Sequence, residues 1–146
     1  MTAHSKMYVP KKNEEYISPF GPSMAYKKLT PTFVKTMNTL MTDKLPDFSD
    51  QLVGKVTQEL EFNKEIEALW MKEVSSFIAR FHSYSEQRNS FGVKNLDVEK
   101  YNYGIKVNSG WFVRQYEHEY NPIHLHIGSS MSCVGYLALP EGIEKE

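Results

Sequence analysis

The chain of 146 residues contains the segment WFVRQYEHEYNPIHLHIGSSMSCVGYLALP, residues 111–140, on which our prediction of its architecture rests. At its centre, Ile123-His124-Leu125-His126-Ile127 alternates aliphatic and imidazole side chains. Alternate side chains of a strand share a face, so a strand here places both histidines together, with Cα atoms about 6–7 Å apart. Two neutral imidazoles at that spacing can bind one metal ion, and the spacing alone is compatible with Fe, Zn, Cu or Ni.

The residues on either side of the histidine pair predict a β-hairpin. Asn121-Pro122 is typical of a turn or a strand entry, since Pro fixes φ and disfavours helix before it. Gly128-Ser129-Ser130 fits a reversal, and Met131–Leu139 has the Val, Tyr and Leu content of a second buried strand. We therefore expect His124 and His126 on the inner face of this hairpin.

The composition is that of one globular domain. The chain is 40% hydrophobic and 24% charged, and its net charge of −1 gives no electrostatic case for nucleic acid or an anionic membrane. Its one cysteine, Cys133, cannot form an internal disulfide, and we expect it to be buried as a small hydrophobic side chain. No apolar run is long enough to cross a bilayer, and the first residues lack the apolar core of a secretory signal. We expect a cytoplasmic protein.

Two helices are predicted upstream. Residues 1–22 are polar and punctuated by proline, which indicates an irregular N-terminal arm before a single domain over residues 23–146. Thr30-Pro31 is a helix start, with Thr as N-cap and Pro in the first turn, and the methionines that follow are spaced for packing. A second helix is expected over about residues 63–84, with Trp70 as a core anchor on its broad apolar face.

Strands are predicted after these helices. The helical support covers about residues 30–84 and the strands about residues 93–140, whereas Leu52–Phe62 is compatible with either structure. Trp111–Tyr116 is the strand that leads into the histidine stretch. Helices followed by strands are typical of an α+β fold, and the short connections favour antiparallel pairing.

One run of residues resembles a known family. Asn121-Pro122-x-His124-x-His126, followed by Ser132-x-Val134-x-Tyr136-Leu137-x-x-Pro140, is similar to the iron-binding hairpin of 2-oxoglutarate/Fe(II)-dependent oxygenases, in the prolyl-hydroxylase-like branch of marine phages and bacteria. The resemblance implies N-terminal helices packed on a double-stranded β-helix, or jelly-roll. It further implies a hydroxylase of a peptide or small molecule, in which His124 and His126 bind Fe(II) and Tyr136 contacts the co-substrate 2-oxoglutarate.

The chain departs from the family pattern in two respects. Many relatives have a carboxylate at the position of His126, and a neutral ligand there raises the net charge of the metal site. Relatives also carry a distal His and a basic residue on later strands, and no residue after Pro140 matches them. We therefore expect the jelly-roll to be incomplete in residues 1–146. Its open sheet face should pack on a second copy, on another chain or on further polypeptide.

Two further functions stay open at this point. One is a non-catalytic structural or interaction protein, such as a virion component, that uses the hairpin as a scaffold, so that the location is the host cytoplasm or a virion. The other is a cupin-like metal enzyme without 2-oxoglutarate. No catalytic residue is predicted beyond the metal ligands, and His118, between two glutamates, is expected to be a solvated residue at a strand end.

Overall fold

The structure, a computed structural model, describes residues 11–17, 23–89 and 104–143. These residues form an α+β fold, as predicted, with two helices and two antiparallel two-stranded sheets. The elements are β1 (Glu14–Ile17), β2 (Met24–Lys27), α1 (Pro31–Leu40), a 3-10 turn (Ser49–Gln51), β3 (Gln58–Glu61), α2 (Lys64–Asn89) and β4 (Trp111–Arg114). Within the described ranges, no helix is long and apolar enough to cross a membrane.

The described residues divide between two compact units. One unit takes those within Met1–Lys28 and Met71–Lys106, and the other takes those within Leu29–Trp70 and Val107–Glu146. Helix α2 is therefore shared, with its first residues in the second unit and the remainder in the first.

The first unit contains the hairpin of β1 and β2. The strands pair antiparallel, with Glu14 opposite Lys27. The ring of Tyr16 on β1 packs against three aromatic rings of α2, those of Phe77, Phe81 and Tyr84, at centroid distances of 6.4, 5.6 and 5.0 Å. This contact places an aromatic cluster between β1 and the helix. The prediction of an irregular arm is therefore wrong for Glu14–Ile17, because pairing with β2 and packing on α2 override the weak local signal.

Two ion pairs reinforce this unit. Arg80 Nε donates to Glu14 Oε2 at 3.3 Å, and its Nη2 donates to the other carboxylate oxygen. Lys27 Nζ lies 2.8 Å from Glu73 Oε1. All four side chains are at most 20% exposed, so solvent screens these pairs less than it would on an open surface.

Helix α1 begins where the sequence predicts. Thr30 has extended backbone angles and its Oγ1 accepts the Phe33 amide at 3.4 Å, with Pro31 at the first helical position. Phe33 and Met37 point into the core, and Met37 is fully buried. The interpretation of the methionine spacing as packing is thus confirmed for Met37.

The core of the second unit lies between both helices and the second sheet. In that sheet Gln58 pairs with Arg114 and Glu61 with Trp111, which settles the ambiguous Leu52–Phe62 stretch as partly strand. The strand predicted at Trp111–Tyr116 is confirmed over Trp111–Arg114. The buried cluster consists of Phe33, Met37, Leu60, Ile66 and Phe112.

Helix α2 starts one residue after Asn63, whose Oδ1 accepts the Ile66 amide at 2.9 Å as an N-cap. It runs to Asn89, beyond the predicted end at residue 84. Trp70 packs against the core cluster, with ring centroids 5.8 Å from Phe33 and 6.2 Å from Phe62. Its predicted role as a core anchor is confirmed.

The hairpin predicted around the histidines does not form. Residues 115–143 contain no strand. Within them, Tyr120 forms an isolated antiparallel β-bridge with Lys55. Ile123, Leu125 and Ile127 are 105%, 86% and 94% exposed, so they cover no core. A two-stranded hairpin is marginal in water unless a further layer covers one face, and none of the described residues covers these three.

Two predictions that depended on this hairpin also differ from the structure. Cys133 is exposed, not buried, because the strand that was to bury it is absent, although partial desolvation still raises the pKa of its thiol. The described residues form two small sheets and not the facing sheets of a jelly-roll. Residues 93–103 of the predicted strand region lie outside the described residues, and residues 104–110 contain no strand.

Candidate metal site

The segment that carries the two histidines is held at both ends. Before it, the Lys55 amide donates to the Tyr120 carbonyl at 2.8 Å, and the Tyr120 amide donates back to Lys55 at 3.2 Å. After it, Asn108 Nδ2 donates to the Gly128 carbonyl at 3.2 Å and lies 3.4 Å from Ser129 Oγ. Gly128 has a φ of 82°, a value that favours glycine and makes the turn predicted at this point.

The two imidazole rings meet edge to face. Their centroids lie 4.8 Å apart with planes at 61°, and the Nε2 atoms of His124 and His126 are 3.1 Å apart. The other ring nitrogen of His124, Nδ1, lies 2.7 Å from the Pro122 carbonyl oxygen. A carbonyl oxygen can only accept, so Nδ1 carries the proton and the Nε2 of the neutral His124 ring presents a lone pair.

This arrangement fits a divalent metal ion. Two nitrogens 3.1 Å apart, each about 2.1 Å from a common ion, subtend an angle of about 95° at that ion. That angle is close to the right angle between neighbouring ligands in octahedral coordination. Metal-binding histidines also commonly donate their second N–H to a carbonyl, as His124 does to Pro122, which fixes the tautomer and the ring orientation.

A tryptophan orients the second ring. Trp111, at the start of β4, stacks on His126 with centroids 6.4 Å apart and planes at 24°. The Trp111 ring also packs against Phe48, with ring centroids 5.6 Å apart. Trp111 is not among the predicted site residues, because a contact between residues this far apart along the chain has no local signal.

The described residues offer no third metal ligand beside the pair, and the two other residues considered in this region are exposed. Within residues 11–17, 23–89 and 104–143 there is no group of three or more His, Cys, Asp or Glu side chains that could hold a metal ion. Tyr136 is 72% exposed. His118 lies in an exposed turn, with a φ of 65° and its Nε2 3.6 Å from Glu117 Oε1, in agreement with its predicted solvated position.

One buried carboxyl group is not predictable from the sequence. Glu59 on β3 is 1% exposed, and its Oε2 has no hydrogen-bond partner among the described residues. Burial raises the pKa of this carboxyl, and the negative charges of Asp47 and Glu119 add to the effect. Glu59 is therefore biased towards the protonated form. The sequence held no signal for it, since Leu52–Phe62 was compatible with helix as well as strand.

Comparison of the chain with protein-family models, with curated proteins and with solved structures found no match.

Proposed function

We propose that this protein is a metal-binding protein of the Fe(II)/2-oxoglutarate-dependent oxygenase type, with His124 and His126 as iron ligands. The observation that carries the proposal is the 3.1 Å approach of their Nε2 atoms. The run from Asn121 to Pro140 that resembles the iron-binding hairpin supports it.

Three residues besides the histidines have roles in the proposed site. Pro122 fixes the tautomer of His124 through its carbonyl, and Trp111 limits rotation of the His126 ring. Tyr136 would donate its hydroxyl to a carboxylate of 2-oxoglutarate. When bound, iron and 2-oxoglutarate supply the oxygen activation needed to hydroxylate a C–H bond of a peptide or small molecule. Two histidines fill only part of a coordination sphere, which leaves positions open for 2-oxoglutarate and oxygen.

Anaerobic equilibrium dialysis against Fe(II), with and without 2-oxoglutarate, tests this function. The parent protein should retain iron, and 2-oxoglutarate should increase the amount retained. His124→Ala and His126→Ala should each abolish retention, whereas His118→Ala, a change to an exposed histidine of the same region, should leave it intact. Iron retained equally by all four proteins would contradict the assignment of the ligands.

The co-substrate has its own control. Tyr136→Phe should remove most of the increase caused by 2-oxoglutarate, while Tyr120→Phe, at an exposed tyrosine of the same region, should not. Iron binding that does not respond to 2-oxoglutarate would contradict oxygenase chemistry and would fit the cupin-like alternative.

A second candidate function is a non-catalytic interaction protein. It is favoured by the nearly complete exposure of Ile123, Leu125 and Ile127, together with the absence of a third metal-ligand candidate among the described residues. Exposed aliphatic side chains in a row usually mark a contact surface. Iron retention without a 2-oxoglutarate effect, in a protein that self-associates through this segment, would favour this candidate.

A further inference from the structure

The segment Ile123-His124-Leu125-His126-Ile127 reads the same in both directions. If two copies of it pair antiparallel about Leu125, each residue faces its mirror position in the second copy. Ile123 then lies opposite Ile127, each His124 lies opposite a His126, and Leu125 lies opposite Leu125. The sequence is therefore complementary to itself in a two-fold symmetric pair.

This pairing sorts the side chains by chemistry. Directly opposed residues of an antiparallel pair project on the same face, so all four imidazoles share one face and all six aliphatic side chains share the other. Opposed Cβ atoms are about 5 Å apart, and the two histidines within a copy are about 6–7 Å apart. Four imidazoles at the corners of such a rectangle are close enough to bind one ion between them.

In the single chain, the backbone groups and the aliphatic side chains of residues 123–127 have no partner segment among the described residues, and a second copy would supply one. Residues 123–127 belong to no ladder, so their backbone groups can pair with another strand. Their three aliphatic side chains are at least 86% exposed. The pair offers two ligands where structural zinc sites have four, and no third candidate lies among the described residues. No charged side chain interrupts the segment, so two copies meet without repulsion.

We infer that two copies of this chain associate through residues 123–127 and bind one Zn²⁺ with His124 and His126 of both. The inference rests on the histidine pair of the proposed function but not on oxygenase chemistry. In the dimer the rings would have to open from about 95° to roughly the tetrahedral angle at the ion. A tetrahedral ion with four protein ligands then has no position for 2-oxoglutarate. The dimer is therefore compatible with the second candidate function, a non-catalytic interaction protein, and its partner is a second copy of the chain.

Sedimentation velocity and zinc analysis of the full chain test the dimer. After treatment with a chelator the protein should sediment as a monomer, and with added Zn²⁺ it should become a dimer that holds one zinc per two chains. A monomer with one zinc per chain would overturn the dimer and leave the histidine pair as a metal site. A protein that binds neither zinc nor Fe(II) would overturn both proposals.

Charge substitutions at Leu125 test the register. Because only position 125 faces itself, Leu125→Glu alone and Leu125→Lys alone should each weaken zinc-dependent dimerisation on the order of tenfold or more, by placing like charges opposite each other. An equal mixture of the two variants should restore a dimer, since Glu then faces Lys. Leu125 is exposed, so neither change should unfold the chain, and circular dichroism checks this.

A matched control fixes the location of the contact. Val134→Glu introduces the same charge at a residue that is 78% exposed but lies outside the segment, and it should leave the dimer intact. Dimers formed by Leu125→Glu alone, or a mixture that stays monomeric, would show that the copies do not meet about Leu125 and would overturn the inference.

Discussion

The Nδ1 atom of His124 lies 2.7 Å from the Pro122 carbonyl oxygen, while its Nε2 atom lies 3.1 Å from Nε2 of His126. Because Nδ1–H donates a hydrogen bond to the carbonyl, Nε2 of the neutral His124 ring carries a lone pair and can only accept a hydrogen bond. The contact between the rings then requires that His126 donates from Nε2 when both rings are neutral and no metal is bound. The two histidines are therefore not equivalent.

This asymmetry predicts two different tautomers. Two-bond ¹H–¹⁵N correlation spectra, recorded where both rings are neutral, should show His124 with its proton on Nδ1 and His126 with its proton on Nε2. Added Zn²⁺ should move the His126 proton to Nδ1, because a metal bound at Nε2 displaces it. The exposed His118 should keep its own spectrum on addition of metal. A proton on Nε2 of His124 in the metal-free protein would contradict the contact between Nδ1 and the Pro122 carbonyl.

The buried carboxyl of Glu59 predicts a substitution that stabilises the protein. Glu59→Gln removes a charge that folding desolvates without a partner, so it should raise the free energy of unfolding on the order of 1 kcal/mol at pH 7.5. The folded-state pKa of Glu59 is raised above its ordinary value of 4.5. The destabilisation by its charge is therefore complete above the folded pKa and disappears as the pH falls below 4.5.

Urea unfolding at pH 7.5 and at pH 4 measures this difference. The gain from Glu59→Gln should be present at the higher pH and shrink at the lower one. Glu61→Gln, at an exposed position of the same strand, should change stability by less than about 0.5 kcal/mol at either pH. An equal effect of the two substitutions would show that Glu59 is not held in a desolvated site.

The ion pair between Arg80 and Glu14 predicts the opposite pH dependence. Burial opposes ionisation of Glu14, but the hydrogen bonds from Arg80 and the Lys11 amide outweigh it and lower the pKa of the carboxyl below 4.5. The pair therefore stabilises the fold above pH 4.5, and its contribution is lost as the pH falls through the folded pKa. Arg80→Gln leaves the Glu14 side chain, 3% exposed, without its charge partner.

We expect Arg80→Gln to cost about 1–3 kcal/mol at pH 7, since it leaves a buried carboxylate unpaired. In urea unfolding at lower pH the difference from the parent protein should shrink, because protonation of Glu14 removes the charge that Arg80 pairs with. Lys64→Gln serves as the control, since the ammonium of the Lys64–Glu67 pair is 93% exposed and should contribute less than about 0.5 kcal/mol. A loss that does not vary with pH would argue against an ionic origin.

Elements with strong local signals were predictable from the sequence. Thr30-Pro31 specifies the start of α1 because the cap is made within one turn, and Met37 follows at helical spacing. The histidine pair also belongs to this class, since residues two apart along the chain are close whether or not a partner strand is present. Their rings meet even though the predicted hairpin is absent.

Elements that depend on distant partners were not predictable in this way. Strand β1 is stabilised by packing of Tyr16 on α2. The polar sequence before the strand does not indicate that contact. Alternation at Ile123 and Leu125 fixes which side chains would share a face, but it does not provide the strand that would pair with them. The contact of Trp111 with His126 is of the same kind, because it joins the sheet to a segment outside it.

Gly135 lies so close to the ring of Trp70 that a larger side chain there should destabilise the protein. A Cβ atom at Gly135 would lie 2.6 Å from Cη2 of Trp70, a ring already fixed by contacts with Phe33 and Phe62. The ring cannot retreat without opening the core, so Gly135→Ala should cost about 1–3 kcal/mol. Gly104→Ala is the matched control, because a Cβ there meets no atom within 4 Å, and it should be neutral or slightly stabilising. Thermal unfolding of both variants measures the difference, and equal melting temperatures would mean that Gly135 does not rest on Trp70.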